Sequence, residues 1–130
     1  MALPEHDLTY LEERQLPHDV AVDEGMTCVV FRDWRLPPGY DRDDADLMIR
    51  LQTGYPDVPP DMWWFDPAVR LADGRMVPAT EVTEQHLGRN WQRWSRHFQD
   101  GQWQSGIDGL ESYLALIQRE LMRCASEVAG

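Results

Sequence analysis

The chain has 130 residues, with 23 acidic residues against 12 basic ones, and the net charge is −11. All the basic residues are arginines, because the sequence contains no lysine. The length fits one domain, so we expect residues 1–130 to form a single unit. The acidic balance argues against a nucleic-acid-binding protein. No apolar run approaches the roughly 20 residues of a membrane span, so no membrane contact is expected. The N-terminus lacks the basic and apolar stretches of a signal peptide, and we expect a cytoplasmic protein.

The charge is unevenly distributed along the chain. Residues 1–66 hold 15 acidic residues and five arginines, whereas residues 67–130 hold eight acidic residues and seven arginines. The first half therefore has a net charge of −10, and the second half is nearly balanced at −1. An acidic face of this kind is suited to docking a basic partner surface.

The first predicted element is a short helix over residues 7–15, with Asp7 as its cap and Leu8 and Leu11 facing the core. Two strands rich in apolar and β-branched residues follow, joined by a turn, over residues 18–22 and 26–34.

A third strand is predicted over residues 46–52 because apolar residues recur at every second position. Leu47, Ile49 and Leu51 would lie on one face, with Met48 and Arg50 on the other. A proline-rich loop comes next, and two short extended pieces are then predicted over residues 62–65 and 69–71.

Residues 75–104 show neither a helical nor a strand period, although they are dense in tryptophan, arginine and histidine. A long irregular segment inside a compact domain is more often functional than idle. The last segment is the clearest, because apolar residues recur at steps of three and four. It predicts a long helix capped by Ser105, with one apolar face formed by Ile107, Leu110, Leu114, Ile117, Leu121 and Cys124.

The two cysteines, Cys28 and Cys124, share no metal-ligand spacing with each other or with the histidines. Each lies in an apolar pattern, and we expect both to be buried core residues. No zinc or phosphate-loop pattern is present, so no metal and no cofactor are expected.

Residues 55–60 read Tyr-Pro-Asp-Val-Pro-Pro and directly follow a predicted strand. The prolines stiffen this loop, and Tyr55 is held extended by the proline that follows it. The string resembles the Tyr-Pro-x-x-Pro-Pro motif of the ubiquitin-conjugating-enzyme (UBC) fold, which lies between the third and fourth strands of that fold. In that family a tryptophan follows the catalytic cysteine by eight residues and precedes a helix. Trp103 resembles that tryptophan, and Ser95 stands eight residues before it.

The stretches 91–97 and 106–110 resemble a divergent bacterial group of this fold, encoded beside ubiquitin-like proteins, activating enzymes and peptidases. The resemblance covers roughly residues 7–124 in order. It implies an α+β, UBC-like fold with a short N-terminal helix, an antiparallel meander of about four strands, an irregular active-site segment and a long C-terminal helix packed on the sheet. The chain departs from the family in three ways. It has no cysteine at the expected place, no His-Pro-Asn string, and no helices after the long one.

In the reaction that the resemblance implies, Ser95 replaces the cysteine and carries an oxyester. A serine hydroxyl needs a positioned base, and His97 would share its face in an extended segment. His86 is a second histidine that folding could bring close. Asn90 or a backbone N–H would stabilise the oxyanion.

Five further residues complete the candidate site. Arg93 and Arg96 would hold the incoming tail, and three aromatic residues would support the site, namely Trp94, Trp103 and Tyr55. Plainer roles fit the same residues: a surface hydroxyl for Ser95, a surface or orienting role for His97, a structural role for His86, charge balance for the arginines and core packing for the tryptophans.

Two functions of different classes remain open. The first is an acyl carrier that accepts the C-terminus of a ubiquitin-like protein from an activating enzyme. The second is a catalytically inactive UBC-like or RWD-like module that docks either of these partners without covalent chemistry. The absence of lysine bears on the first function, because no side-chain amine of the carrier competes for its own activated ester.

Overall fold

A computed structural model describes residues 3–98 and 101–129. Two helices flank the strands in sequence, α1 (Glu5–Arg14) and α2 (Leu110–Ala129). The strands between them are β1 (His18–Asp23), β2 (Met26–Arg35), β3 (Asp44–Leu51), β4 (Trp63–Asp66), β5 (Val82–His86) and β6 (Arg89–Trp94).

The strands form one antiparallel sheet in the order β1-β2-β3-β4-β6-β5. Strand β3 lies inside the sheet and is buried along most of its length. Its alternation confirms the predicted faces: Leu47, Ile49 and Leu51 belong to the main core, and Met48 belongs to a smaller core on the opposite face. The fold class is therefore α+β, with the helices on one face of a curled sheet, as the sequence predicts.

The main core lies between the sheet and α2. The helix contributes its buried stripe to this core, made of Leu110, Tyr113, Leu114, Ile117, Leu121 and Cys124. Aromatic rings of the sheet meet it, with Trp63 stacked on Trp94 at 6.0 Å between ring centroids. A tight apolar stripe of this size is enough to fix the long helix on the sheet.

The start of α2 differs from the prediction. Ile107 is 71% exposed and precedes the helix, which begins at Leu110. The Ser105 hydroxyl donates to the carboxylate of Asp57 and does not cap the helix. The Leu110 N–H instead donates to Asp7 Oδ1 at 3.0 Å. Helical spacing identified the apolar face but not the first turn, because the cap comes from a distant part of the chain.

Helix α1 begins two residues earlier than predicted, at Glu5 after Pro4. Leu11 is buried, but Leu8 is 46% exposed and points away from the core. Asp7 is buried within α1, where it binds Leu110 and the hydroxyl of Tyr55. Its predicted role as the cap of α1 is wrong, because its carboxylate serves α2.

The sheet has two more strands than the sequence predicts, because the segment taken as irregular contains the hairpin β5–β6. Leu87 and Gly88 form its turn, both with positive φ, at 55° and 73°. A two-residue turn of this kind normally carries Asn-Gly or Asp-Gly, so a leucine there gives a weak signal. Strand β6 also buries the adjacent Trp91 and Gln92, which removes the alternation expected of a half-buried strand.

The predicted extended piece at 69–71 is not a strand. Leu71 makes an isolated bridge to Tyr40, and buried Gln92 bonds both the N–H and the carbonyl of Val69, at 2.8 and 3.0 Å. In the part of the chain that the structure describes, neither helix is long and apolar enough to cross a membrane.

Candidate functional site

The segment just after β6 is held extended by backbone bonds on both sides. The Ser95 N–H donates to the Ala79 carbonyl at 3.0 Å, and the Arg96 carbonyl accepts from the Met62 N–H at 3.1 Å. Side chains of an extended segment alternate between the two faces. Arg96 faces α2, where its Nε donates to Glu120 at 2.6 Å and its guanidinium lies over the ring of Trp94. Ser95 therefore lies on the opposite face, away from α2.

The Ser95 hydroxyl is half-buried and lies against a cation. Its Oγ accepts from Arg93 Nε at 3.2 Å, and Arg93 Nη1 pairs with Glu84 at 2.8 Å. A guanidinium beside a hydroxyl oxygen stabilises negative charge that develops on that oxygen. The structure thus brings together two of the predicted site residues, Ser95 and Arg93.

His97 is paired with a carboxylate that the sequence did not single out. Its Nδ1 lies 2.7 Å from Asp61 Oδ1, and both side chains reach solvent. An ionised carboxylate only accepts, so this bond places a proton on Nδ1 and leaves Nε2 as the acceptor nitrogen of the neutral ring. Within the described residues Ser95 and His97 share no hydrogen bond, and His97 lines a cavity beside α2 together with Arg96.

Two predicted site residues lie at the far end of the β5–β6 hairpin. His86 is paired in register with Arg89, whereas Arg93 lies opposite Val82 at the end near Ser95. Asn90 is exposed and five residues before Ser95, which is about 16 Å along a strand. The structure therefore does not bring His86 or Asn90 to the Ser95 hydroxyl.

A chain of charges nevertheless connects His86 to Ser95. Glu84 accepts from Trp64 Nε1 at 2.9 Å and from Arg93, and it lies 3.1 Å from His86 Nε2. Burial alone would raise the pKa of Glu84, but the hydrogen bonds from His86, Trp64 and Arg93 outweigh burial and lower it. Glu84 thus stays ionised and fixes the guanidinium that contacts Ser95.

Tyr55 and Trp103 pack together next to the proline-rich loop. Their ring centroids are 6.3 Å apart, and Trp103 Nε1 donates to the Pro56 carbonyl at 2.8 Å. The Tyr55 hydroxyl donates to Asp7 at 2.7 Å, and burial followed by this bond raises its pKa. These contacts tie the loop to the segment before α2 and give both aromatic residues a supporting position.

One group of potential metal ligands occurs in the described part of the chain. Donor atoms of Asp23, Glu24 and His86 lie within 4.8 Å of one another. Arg50 Nη1, however, lies 2.8 Å from Asp23 Oδ2, and His86 Nδ1 lies 2.9 Å from the same oxygen. These carboxylate and imidazole groups already satisfy one another, so the arrangement is that of an ion-pair network.

Comparison with known proteins gives one match. The family model described as prokaryotic E2 family E matches residues 3–124, which confirms the resemblance drawn from the proline-rich loop and Trp103. Neither a curated protein nor a solved structure matches the chain.

Proposed function

Because this chain belongs to prokaryotic E2 family E, we propose that it accepts the C-terminus of a ubiquitin-like protein from an activating enzyme as an oxyester on Ser95. The observation that carries the proposal is the hydrogen bond between His97, which lies two residues after Ser95, and Asp61. His97 Nδ1 and Asp61 Oδ1 are 2.7 Å apart. Serine, histidine and carboxylate in these relations are the components of an activated hydroxyl nucleophile.

In the proposed transfer, Ser95 Oγ attacks the carbonyl carbon of the thioester on the activating enzyme. His97 Nε2 takes the hydroxyl proton, a C–O bond forms and the C–S bond breaks. The proton then passes to the departing thiolate, so the histidine is regenerated. Asp61 holds the imidazole in the required tautomer and stabilises its charged form. Since Ser95 and His97 are not hydrogen-bonded to each other, the proposed transfer requires a side-chain rearrangement that brings His97 Nε2 to Ser95 Oγ before attack.

Arg93 supplies the positive charge in this mechanism. Its Nε already contacts Ser95 Oγ at 3.2 Å, so it is placed to stabilise the alkoxide and, with a backbone N–H, the tetrahedral oxyanion. Asn90 has no part in the proposal because the length of β6 separates it from Ser95. Arg96 faces α2 and is held by Glu120, so the proposal gives it a positioning role.

The acidic first half supplies the proposed docking surface for the activating enzyme. The side chains of Glu5, Glu12 and Glu13 on α1 are exposed. A complementary basic surface on the partner would accelerate encounter, and this effect weakens as salt rises.

The test is reconstitution with the cognate activating enzyme, the ubiquitin-like protein and ATP. We expect an adduct that resists reducing agent and is cleaved by hydroxylamine. Ser95→Ala should abolish it, and Ser95→Cys should convert it to an adduct that reducing agent cleaves. Ser126→Ala is the matched control, because Ser126 is an exposed serine on α2. Cleavage after arginine isolates residues 94–96, so mass spectrometry can locate the ester on this tripeptide.

His97→Gln and Asp61→Asn should slow adduct formation without preventing the partners from binding. If Ser95→Ala still forms the adduct, or if the ester maps outside residues 94–96, Ser95 is not the nucleophile.

The alternative is a binding module without covalent chemistry. Two features favour it: no cysteine is present in the segment, and Ser95 and His97 have different hydrogen-bond partners. A tight complex with the ubiquitin-like protein or the activating enzyme, with no adduct in the presence of ATP, would support this function and exclude the oxyester.

A further inference from the structure

A cavity of about 360 Å³ lies beside α2. We call it the α2 pocket. Its lining includes three aromatic rings and five charged or titratable side chains, namely Trp63, Phe98, Tyr113, Arg96, His97, Arg119, Glu120 and Arg123. Its volume is within the range of pockets that bind small molecules or a few residues of a peptide.

The α2 pocket has an excess of positive charge. It contains three guanidinium groups and one carboxylate, that of Glu120. Glu120 Oε2 accepts from Arg96 at 2.6 Å and its Oε1 accepts from Arg123 Nε at 2.8 Å, so both carboxylate oxygens are already engaged. Arg119 forms no hydrogen bond or ion pair with any residue that the structure describes. A guanidinium that lines a pocket without a carboxylate partner is suited to an anionic oxygen ligand.

A second donor in the pocket wall also has no acceptor. The indole of Trp63 is fully buried, and its Nε1–H is the one buried side-chain polar group without a hydrogen-bond partner in the described part of the chain. Buried donors are nearly always satisfied, so an orphaned one requires an explanation. Because Trp63 is fully buried, this N–H is closed to a ligand in the pocket, and Trp63 serves as a reporter of the pocket wall.

The remaining wall is aromatic. Phe98 and Tyr113 pack against each other, with ring centroids 5.7 Å apart. The pocket therefore combines a guanidinium without a carboxylate partner among the described residues and an aromatic surface, which together match a carboxylate with apolar atoms attached to it.

We propose that the α2 pocket binds a carboxylate of a peptide, with the oxygens toward Arg119 and the adjoining atoms against Phe98 and Tyr113. The carboxylate belongs either to a chain terminus or to an acidic side chain. This binding does not require Ser95 as a nucleophile, although His97, the base of the proposed transfer, lies in the same pocket wall. The pocket gives the chain a second recognition site for a partner.

The test is an NMR titration of the full chain at constant ionic strength, following the indole N–H resonances of the six tryptophans. Three probes separate the possible ligands: acetyl-Gly-Gly with a terminal carboxylate, acetyl-Glu-amide with a side-chain carboxylate, and acetyl-Gln-amide as the neutral match. We expect the Trp63 resonance to shift saturably with one or both carboxylates and not with the neutral probe. The carboxylate that binds more tightly identifies the source.

Arg119→Gln should weaken that binding by at least about fivefold, as expected for loss of a charge-assisted bond. Arg35→Gln makes the same charge change at an exposed arginine of β2 and should leave binding unaltered. The proposal is overturned if the neutral probe produces the same shift or if Arg119→Gln binds normally. It is also overturned if no probe shifts Trp63 up to about 20 mM, a range that includes millimolar affinities. Adduct formation on Ser95 is measured in a separate assay that needs no ligand in the pocket, so the two proposals fail separately.

Discussion

The carboxylate of Asp7 caps a helix that begins 103 residues later, because its Oδ1 accepts the Leu110 N–H at 3.0 Å. Its other oxygen accepts the Tyr55 hydroxyl at 2.7 Å. One buried side chain therefore joins α1, the proline-rich loop and the start of α2. Gly109 leaves room for this contact, since a Cβ there would lie 2.7 Å from Asp7 Oδ1.

Asp7→Ala should lower the free energy of unfolding by about 2–3 kcal/mol, because it leaves two buried donors without an acceptor. Asp7→Asn keeps an acceptor oxygen and should cost less. Urea denaturation followed by tryptophan fluorescence measures both. Asp19→Ala, at an exposed ion pair with Arg32, is the control and should change stability by less than about 1 kcal/mol. Equal effects of Asp7→Ala and Asp19→Ala would show that the cap contributes nothing.

Arg50 should contribute far more to stability than an exposed arginine. It is 4% exposed, pairs with Asp23 at 2.8 Å and lies over the ring of Trp64. Arg50→Met should lower the free energy of unfolding by about 1–3 kcal/mol, since it removes the ion pair with Asp23 and leaves that network partly unsatisfied. Arg32→Met, at a side chain that is 54% exposed, should change the free energy of unfolding by no more than about 0.5 kcal/mol. Thermal denaturation of both variants tests this contrast, which fails if Arg32→Met is the more damaging change.

Glu120 should give the chain a pH-dependent stability. Hydrogen bonds from Arg123 and then Arg96, with burial opposing them, lower the pKa of Glu120 to about 2. A carboxyl whose folded pKa is depressed stabilises the fold above its unfolded pKa, and that contribution is lost as pH falls toward the folded value.

Glu120→Gln should therefore lower the free energy of unfolding by about 1–2 kcal/mol at pH 7. This value allows for solvent screening, because the Arg123 partner is half-exposed. The difference from the parent should shrink as pH falls from about 4.5 to about 2. Urea midpoints across this range measure it. A difference that is constant with pH would mean that the charge of Glu120 is not what stabilises the fold.

The two thiols should be unreactive in the folded chain. Cys28 is fully buried and Cys124 nearly so, as the sequence predicts, and burial raises the pKa of both thiols. A thiol reagent such as Ellman's should label neither at an appreciable rate until denaturant is added, when both react. Rapid labelling of the native chain at Cys124 would contradict this and would make a thioester at that residue chemically possible.

The parts of the fold predicted from sequence are those with a local period. The alternation of apolar residues in β3 predicts both of its faces, and the spacing of apolar residues by three and four predicts the buried stripe of α2. The proline-rich loop with Tyr55 and the position of Trp103 identified the family. Each of these signals lies within a few residues of the feature it predicts.

The parts that were missed depend on contacts between distant residues. Asp7 meets Leu110, and Asp61 meets His97, only after the sheet has assembled. The pairing of Met62 with Arg96 carries Asp61 to the histidine, and no local pattern encodes that pairing. The β5–β6 hairpin was missed for a different reason, because Leu87 occupies a turn position where asparagine or glycine is expected.

The contact between Asp23 and His86 has a consequence for how the sheet meets other molecules. These residues are the last of β1 and of β5, which are the two edge strands, yet their side chains bond at 2.9 Å. The curled sheet thus brings its two open edges together at one corner. An incoming strand would find unpaired backbone groups along the rest of either edge but would meet a charged obstruction at that corner. The corner therefore limits edge-to-edge association between copies of the chain.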